Sequence, residues 1–489
     1  MTEAFFDHPF LSGYHEPGRF EATVPDLIVD GEIPGDLAGV FYRNGPEPLY
    51  PTREGEYHWF DGDGMVHAFH FADGRASMLN RWVRTEKFEL EKAAGKRLFG
   101  LFGNPMTADP SVQNKRYNTA NTNIIVHGGK LLALMEGAPA VALDPRTLET
   151  LGEEHYGGTI TTTFSAHPKV DHTTGEMINI GAMINGPMGA AQIRYDVIAA
   201  DGSVRKAEII DMPHNALMHT FFLTENWVVF PVIPIDVDLP RFMQGGPMTA
   251  WVNGRPTKFA IMPRNGGAGD VRWFDYEPRH MFHELNVWEE DGKIIADVAA
   301  ANGTALFPDE TGARRTHAET PQSLRRWTID PGAGGNGTWI REETLNDRDI
   351  QFPRPDDRLM TRPSRHGFAN INLNSRDGRA EGMDAVLRFD TASGTEDYYH
   401  FGKGAACGEL IFAPRIGAQG EGDGYAMTLV HRAGAATSEL AIFAALDIAA
   451  GPIASVRIPF RVPSGFHCNF YASDSTLYRE AFGTGAETR

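Results

Sequence analysis

Cysteine is almost missing from the chain. Only Cys407 and Cys468 occur in 489 residues, which excludes a disulfide framework and a cysteine-based zinc site and favours a reducing, cytoplasmic compartment. Positive charge is also scarce. Lys and Arg number 45 against 64 Asp and Glu, leaving −19 at pH 7, and a pI near 5.4 argues against a nucleic-acid partner. Long apolar runs are lacking too. Residues 227–235 follow Glu225 and Asn226, and residues 440–446 stop at Asp447, well short of the ~18 apolar residues that a membrane span needs. Residues 1–27 have neither a basic start nor an unbroken apolar stretch, so no secretory leader is expected. The chain reads as a soluble protein.

What is present is the material of a turn-rich core: 53 Gly, 31 Pro and 42% hydrophobic residues. Short strands joined by tight turns dominate. Residues 122–127 and 130–135 flank Gly128-Gly129, residues 192–199 and 204–210 flank Asp201-Gly202, and residues 285–289 and 293–298 flank Asp291-Gly292. Residues 426–431 and 439–445 form a fourth such pair. Each reads as a β-hairpin. Helical periodicity is rare, and the clearest case covers 85–99, with Phe88, Leu90, Ala94 and Leu98 as an apolar stripe. Many short strands over nearly 500 residues predict an all-β fold, either paired sandwiches or a β-propeller. No tryptophan-aspartate repeat of about 40 residues is visible. No long Gly/Ser-rich or charged linker divides the sequence, so one domain spanning 1–489 is expected.

Four of the 18 histidines stand apart. His167 lies in Phe164-Ser-Ala-His-Pro-Lys, His219 in Leu217-Met-His-Thr-Phe-Phe, His283 in Met281-Phe-His-Glu-Leu-Asn and His467 in Pro463-Ser-Gly-Phe-His-Cys-Asn. Apolar neighbours desolvate each imidazole and demand a partner for it. Their separations of 52, 64 and 184 residues are unlike a zinc finger or an HExxH helix, where the ligands are local. Such distances suit ligands delivered by different blades. Spacing alone does not single them out, because His214, His280, His366 and His431 are also available.

At these residues the sequence resembles the carotenoid cleavage oxygenase family, most closely its bacterial lignostilbene dioxygenase branch. The likeness runs through Val29-Asp-Gly-Glu-Ile-Pro, Phe41-Tyr-Arg-Asn-Gly-Pro, His58-Trp-Phe-Asp-Gly-Asp-Gly-Met and Ala120-Asn-Thr-Asn. It continues in Leu131-Leu-Ala-Leu-Met-Glu, Asp144-Pro-Arg-Thr-Leu-Glu, Phe282-His-Glu-Leu-Asn-Val-Trp-Glu, Glu421-Gly-Asp-Gly-Tyr and Gly465-Phe-His. The resemblance implies a seven-bladed β-propeller with a small helical cap over the metal-bearing axial face. It also implies one Fe(II) per chain, held by His167, His219, His283 and His467. In the family, glutamates accept the second ring N–H of three ligands. Glu136 and Glu409 match two of these positions, whereas Ile350-Gln-Phe-Pro-Arg puts Gln351 at the third. The amide oxygen still accepts that N–H but carries no charge, so the site becomes more cationic unless the change is tolerated drift.

The implied reaction adds both atoms of O2 across a conjugated C=C bond and releases two carbonyl compounds. Four neutral imidazoles suit iron and leave two octahedral positions open. The alkene supplies the electrons, so neither NAD nor flavin is expected, and the glycine-rich residues 332–337 contain no GxGxxG after a strand. A stilbenoid or related phenylpropanoid is the expected substrate, with an apocarotenoid as the alternative. Of the three wall residues that the resemblance implies, Phe60 is kept, while Phe102 and Met135 stand where the branch has a phenol-binding Tyr and Lys. A buried phenol would lose roughly 1–3 kcal/mol there unless His58 or Tyr117 restores a polar contact.

Residues Leu98, Phe99, Leu101, Phe102 and Met106 either form a weak membrane-docking surface or pack inside. A monomer or homodimer is expected. The rival classes are a propeller hydrolase with a central Ca2+ or Zn2+, which wants carboxylate ligands, and a catalytically silent binding scaffold.

Overall fold

The computed structural model describes residues 4–53, 55–333, 338–373 and 383–483. Residues 1–3 of the N-terminal stretch and residues 334–337 of the glycine-rich run lie outside these. All four expected hairpins form; three keep within two residues of their sequence bounds, while the one around Asp291-Gly292 runs longer, over His280–Glu290 and Lys293–Ala301. Asn123–His127 pairs with Lys130–Leu134 in a register that puts His127 opposite Lys130. Gly128 and Gly129 both take positive φ, 56° and 72°, as a two-residue turn matching the twist of its strands requires. Burial alternates along outer strands such as Arg75–Trp82 and Val204–Asp211. Inner strands such as Asn123–His127 and Met177–Gly181 are buried throughout.

Two compact units divide the chain: Met1–Ala166 with Ala200–Ser203 and Tyr399–Arg489, and His167–Ala199 with Val204–Tyr398. The first holds three sheets. One of them orders Ala22–Val24, Arg75–Trp82, Asp63–Ala72, Gly39–Arg43 and Cys468–Ala472, so that a strand from late in the sequence completes a sheet built from early ones. A second sheet repeats the device, with Ile28–Gly31 paired to Ala454–Ile458. Phe41, Phe69, Met427, Leu440 and Val456 pack between these two sheets.

The second unit contains four four-stranded sheets, which start at Lys169–Val170, Phe222–Leu223, His280–Glu290 and Ile350–Arg354. Among the described residues these seven sheets of four or more strands are the blades of a seven-bladed β-propeller, the expected all-β class.

Helices are few: Glu86–Ala94, Leu239–Met243 and Thr476–Phe482. Thr85 caps the first through a hydrogen bond from the Phe88 N–H, and Gly95 closes it with φ 68°. The helix expected over 85–99 therefore ends at Ala94. Its buried face also differs from the expected stripe, because Lys87, Phe88 and Glu91 are buried while Leu90 is half-buried and Ala94 exposed. The reason is electrostatic. Lys87 Nζ donates to Asp63 Oδ1 at 2.6 Å and to Glu91 Oε2 at 2.9 Å, so charged residues pair inside. Leu98 is buried beyond the helix.

Candidate metal centre

Three of the four singled-out histidines converge within the second unit. His167 stands just before Lys169–Val170, His219 just before Phe222–Leu223, and His283 within His280–Glu290 at a shift of register. The His167 and His219 Nε2 atoms lie 2.9 Å apart, and those of His219 and His283 lie 3.1 Å apart. Hydrogen bonding does not account for both contacts. His219 Nε2 has one in-plane position, which holds either a proton or a lone pair, and so satisfies one neighbour at most. A cation satisfies all three lone pairs. With metal–imidazole bonds of ~2.1 Å, donors at right angles sit about 3.0 Å apart and tetrahedral donors about 3.4 Å. The observed separations fit the right-angled arrangement, in which further positions stay open.

Aromatic rings support these imidazoles. His219 packs against Phe282 at 4.6 Å between centroids, and His283 against Phe352 at 5.0 Å. Phe352 has φ 49°, a conformation that a bulky side chain avoids, and it lies in a bulge where Ile350–Arg354 pairs with His366–Ile371. Nothing in the sequence announced that strained position. Gln351, its neighbour, is half-buried in the same strand.

His467 belongs to the first unit, one residue before the strand Cys468–Ala472. Its Nδ1 is 3.0 Å from Glu409 Oε1, and the Cys468 N–H donates to Glu409 Oε2 at 2.7 Å. Both side chains are buried. A carboxylate accepts, so Nδ1 carries the proton and Nε2 presents its lone pair, the tautomer that a ligand needs. Glu136 is half-buried just beyond Lys130–Leu134. Among the other histidines, burial pushes His280 and His431 down to about 3 and also lowers His214, while His366 Nδ1 lies 3.3 Å from Arg388.

The wall residues all lie in the first unit. Phe60 and Phe102 meet edge to face with centroids 5.2 Å apart, and His58 packs on both at 4.6 and 4.7 Å. Phe466, one residue before His467, adds a contact to Phe60 at 5.6 Å. Met135 is set by Thr119, whose backbone N–H approaches its sulfur at 3.3 Å. Leu98, Phe99 and Leu101 are buried, as inward packing requires, whereas Met106 is 69% exposed.

A buried ionic network holds the Phe102 segment. Asp61 Oδ1 accepts from Arg97 Nη2 at 2.8 Å, the Phe102 N–H at 2.9 Å and the Tyr117 hydroxyl at 3.1 Å. The two aspartates of Trp59-Phe-Asp-Gly-Asp-Gly are thus structural anchors, a role that no local pattern announces because their partners Lys87 and Arg97 lie 24 and 36 residues away.

The family model described as retinal pigment epithelial membrane protein matches residues 15–472. The chain belongs to this carotenoid oxygenase family. Curated relatives include isoeugenol monooxygenase of Pseudomonas putida, 35% identical over 95% of this chain and 98% of the relative. Lignostilbene-alpha,beta-dioxygenase isozyme III of Sphingomonas paucimobilis is also 35% identical, with 95% and 97% covered. Among solved structures, the lignostilbene dioxygenase of Pseudomonas brassicacearum superposes with a TM-score of 0.91 at 36% identity, covering 96% of this carotenoid oxygenase and all of that chain. Among the described residues no helix is long and apolar enough to cross a membrane.

Proposed function

We propose that this carotenoid oxygenase is a non-haem Fe(II) dioxygenase that cleaves a conjugated C=C bond with O2 into two carbonyl compounds. Its substrate in this reading is a stilbenoid or related phenylpropanoid. The observation that carries the reading is the right-angle spacing of the His167, His219 and His283 Nε2 atoms. His467, fixed in the ligand tautomer by Glu409, is the fourth ligand of one Fe(II) per chain. Iron, when bound, supplies open coordination positions for oxygen chemistry at the alkene. An imidazole-only donor set counts against calcium, and the convergence of three lone pairs counts against a silent scaffold.

The chain's own residues orient and shield. Glu409 holds the His467 ring, and Glu136 and Gln351 stand at the positions from which the family orients two more. Phe60, Phe102 and Met135 offer an aromatic substrate apolar and π surface, and none of them has a hydroxyl or ammonium to hold a phenolate. The Tyr117 hydroxyl already donates to Asp61. The substrate's own conjugation therefore activates it, which equally favours an apocarotenoid polyene as a second reading.

Neither NAD nor flavin enters the scheme, and the net charge of −19 argues against a nucleic-acid partner. The two buried cysteines, Cys407 and Cys468, which form no disulfide, support a cytoplasmic location, and a family match running through both units supports one functional domain over 1–489. The test is oxygen uptake by the anaerobically Fe(II)-loaded protein, with mass spectrometry of the aldehydes from 4-hydroxystilbene, 4-methoxystilbene and an apocarotenal. Cleavage of the methoxy compound without preference for the phenol is expected. No cleavage of any of the three by protein holding one iron per chain would overturn the reading.

A further inference from the structure

Each segment that brings an imidazole into the three-histidine cluster carries a second polar side chain just beyond it. Lys169 lies two residues past His167, Thr220 one past His219, and Glu284 one past His283. These three meet as well. Lys169 Nζ donates to Thr220 Oγ1 at 3.0 Å and to Glu284 Oε1, and the Thr220 hydroxyl donates to Glu284 Oε2 at 2.7 Å. Lys169 and Thr220 are buried, and the Glu284 side chain is 11% exposed. The Lys169 ammonium also lies 5.6 Å from the Phe221 ring centroid. Thr220 thus accepts from one partner and donates to the other, while Glu284 uses both of its oxygens.

The pattern has a physical purpose. Three imidazole lone pairs facing one another repel, so the segments that carry them must be held at that spacing by other groups before a cation arrives. Charge-assisted hydrogen bonds are short and directional, and a partly desolvated ammonium–carboxylate pair resists separation because either charge alone is costly there. A network with one member on each ligand-bearing segment therefore fixes their mutual spacing.

We infer that Lys169, Thr220 and Glu284 are positioning residues, a clamp that sets the His167, His219 and His283 Nε2 atoms at metal-ligand spacing. The inference rests on the metal site proposed above. The clamp touches neither metal nor substrate and acts through the backbone it ties.

Cobalt(II) titration of the purified full chain, followed by its visible d–d absorption, tests this alongside the melting temperature. Native protein should take up one Co(II), and His219→Ala should lose it. If the native chain binds none, the metal site falls and the clamp falls with it. Lys169→Met and Glu284→Gln should both weaken Co(II) binding by about 10- to 100-fold, the usual cost of losing an outer partner, and both should alter the d–d bands. A simple charge effect predicts opposite signs, tighter for Lys169→Met and weaker for Glu284→Gln, and that outcome would overturn the clamp. Thr220→Val removes only the bridging hydroxyl from a side chain of similar volume, which guards against a misfolded charge variant. Native affinity and spectrum in folded Thr220→Val protein would equally sink the inference.

Discussion

The Tyr117 hydroxyl lies 3.1 Å from Asp61 Oδ1, on the same oxygen that receives Arg97 and the Phe102 N–H. Burial, together with the Asp61 charge, pushes the Tyr117 phenol well above its usual value, so it stays protonated and donates. Tyr117→Phe should therefore lower stability by about 2 kcal/mol, as loss of a hydrogen bond to a charged group does. The ratio of hydroxystilbene to methoxystilbene cleavage should not move. Denaturant melts and the two rates check this, and a collapse of phenol turnover alone would show that Tyr117 binds substrate.

The apolar pair Phe102 and Met135 can be reversed. The double variant Phe102→Tyr with Met135→Lys should raise kcat/KM for 4-hydroxystilbene relative to its methyl ether by about 10- to 100-fold, the range expected for one satisfied buried phenol. An unchanged ratio in protein that still binds metal would mean that these residues do not face the ring.

In the proposed site Gln351 takes the place of an orienting carboxylate with a neutral amide. Gln351→Glu adds a negative charge behind a ligand and should tighten divalent-metal binding by about 10-fold. Competition against a chelator measures it. Weaker binding would indicate that Gln351 does not support a ligand imidazole.

Glu47 is buried, and desolvation raises its carboxyl to about 7 despite hydrogen bonds from Arg19 and Gly18 and the nearby Arg43 charge. Between pH 4.5 and about 7 the folded chain keeps a proton that the unfolded chain has released. Stability therefore falls as pH rises through this window and levels off above it, by on the order of 3 kcal/mol from this group. Glu47→Gln keeps an acceptor for the Arg19 N–H and removes the titration. Its melting temperature relative to native should climb from pH 5 to pH 8, and parallel curves would refute the assignment.

Much of this was legible in the residues. Gly128-Gly129 and Asp291-Gly292 marked their hairpins because only a few residue types accept consecutive positive φ. The histidines stood out by their apolar neighbours. The buried face of the helix after Thr85 escapes apolar spacing, which is blind to Lys87 and Glu91, because their burial depends on Asp63 far away in sequence. Phe352 was invisible for a related reason, since its backbone angle is imposed by a bulge and not by its own preference. The Lys169–Thr220–Glu284 contact joins three distant segments, and no local pattern encodes it.

The pairing of Gly39–Arg43 with Cys468–Ala472 has a consequence for how the protein comes into being. Arg43 also bonds the Pro463 carbonyl 420 residues away, so this closure belongs to the slowest, most non-local class of contact. A nascent chain carries Gly39–Arg43 as an unsatisfied sheet edge until the ribosome has made nearly everything else, and such edges invite aggregation. His467 arrives on the very segment that seals the edge. Sheet closure and the placing of the His467 imidazole beside Glu409 are thus one late event, and a chain that fails to close leaves that imidazole unplaced.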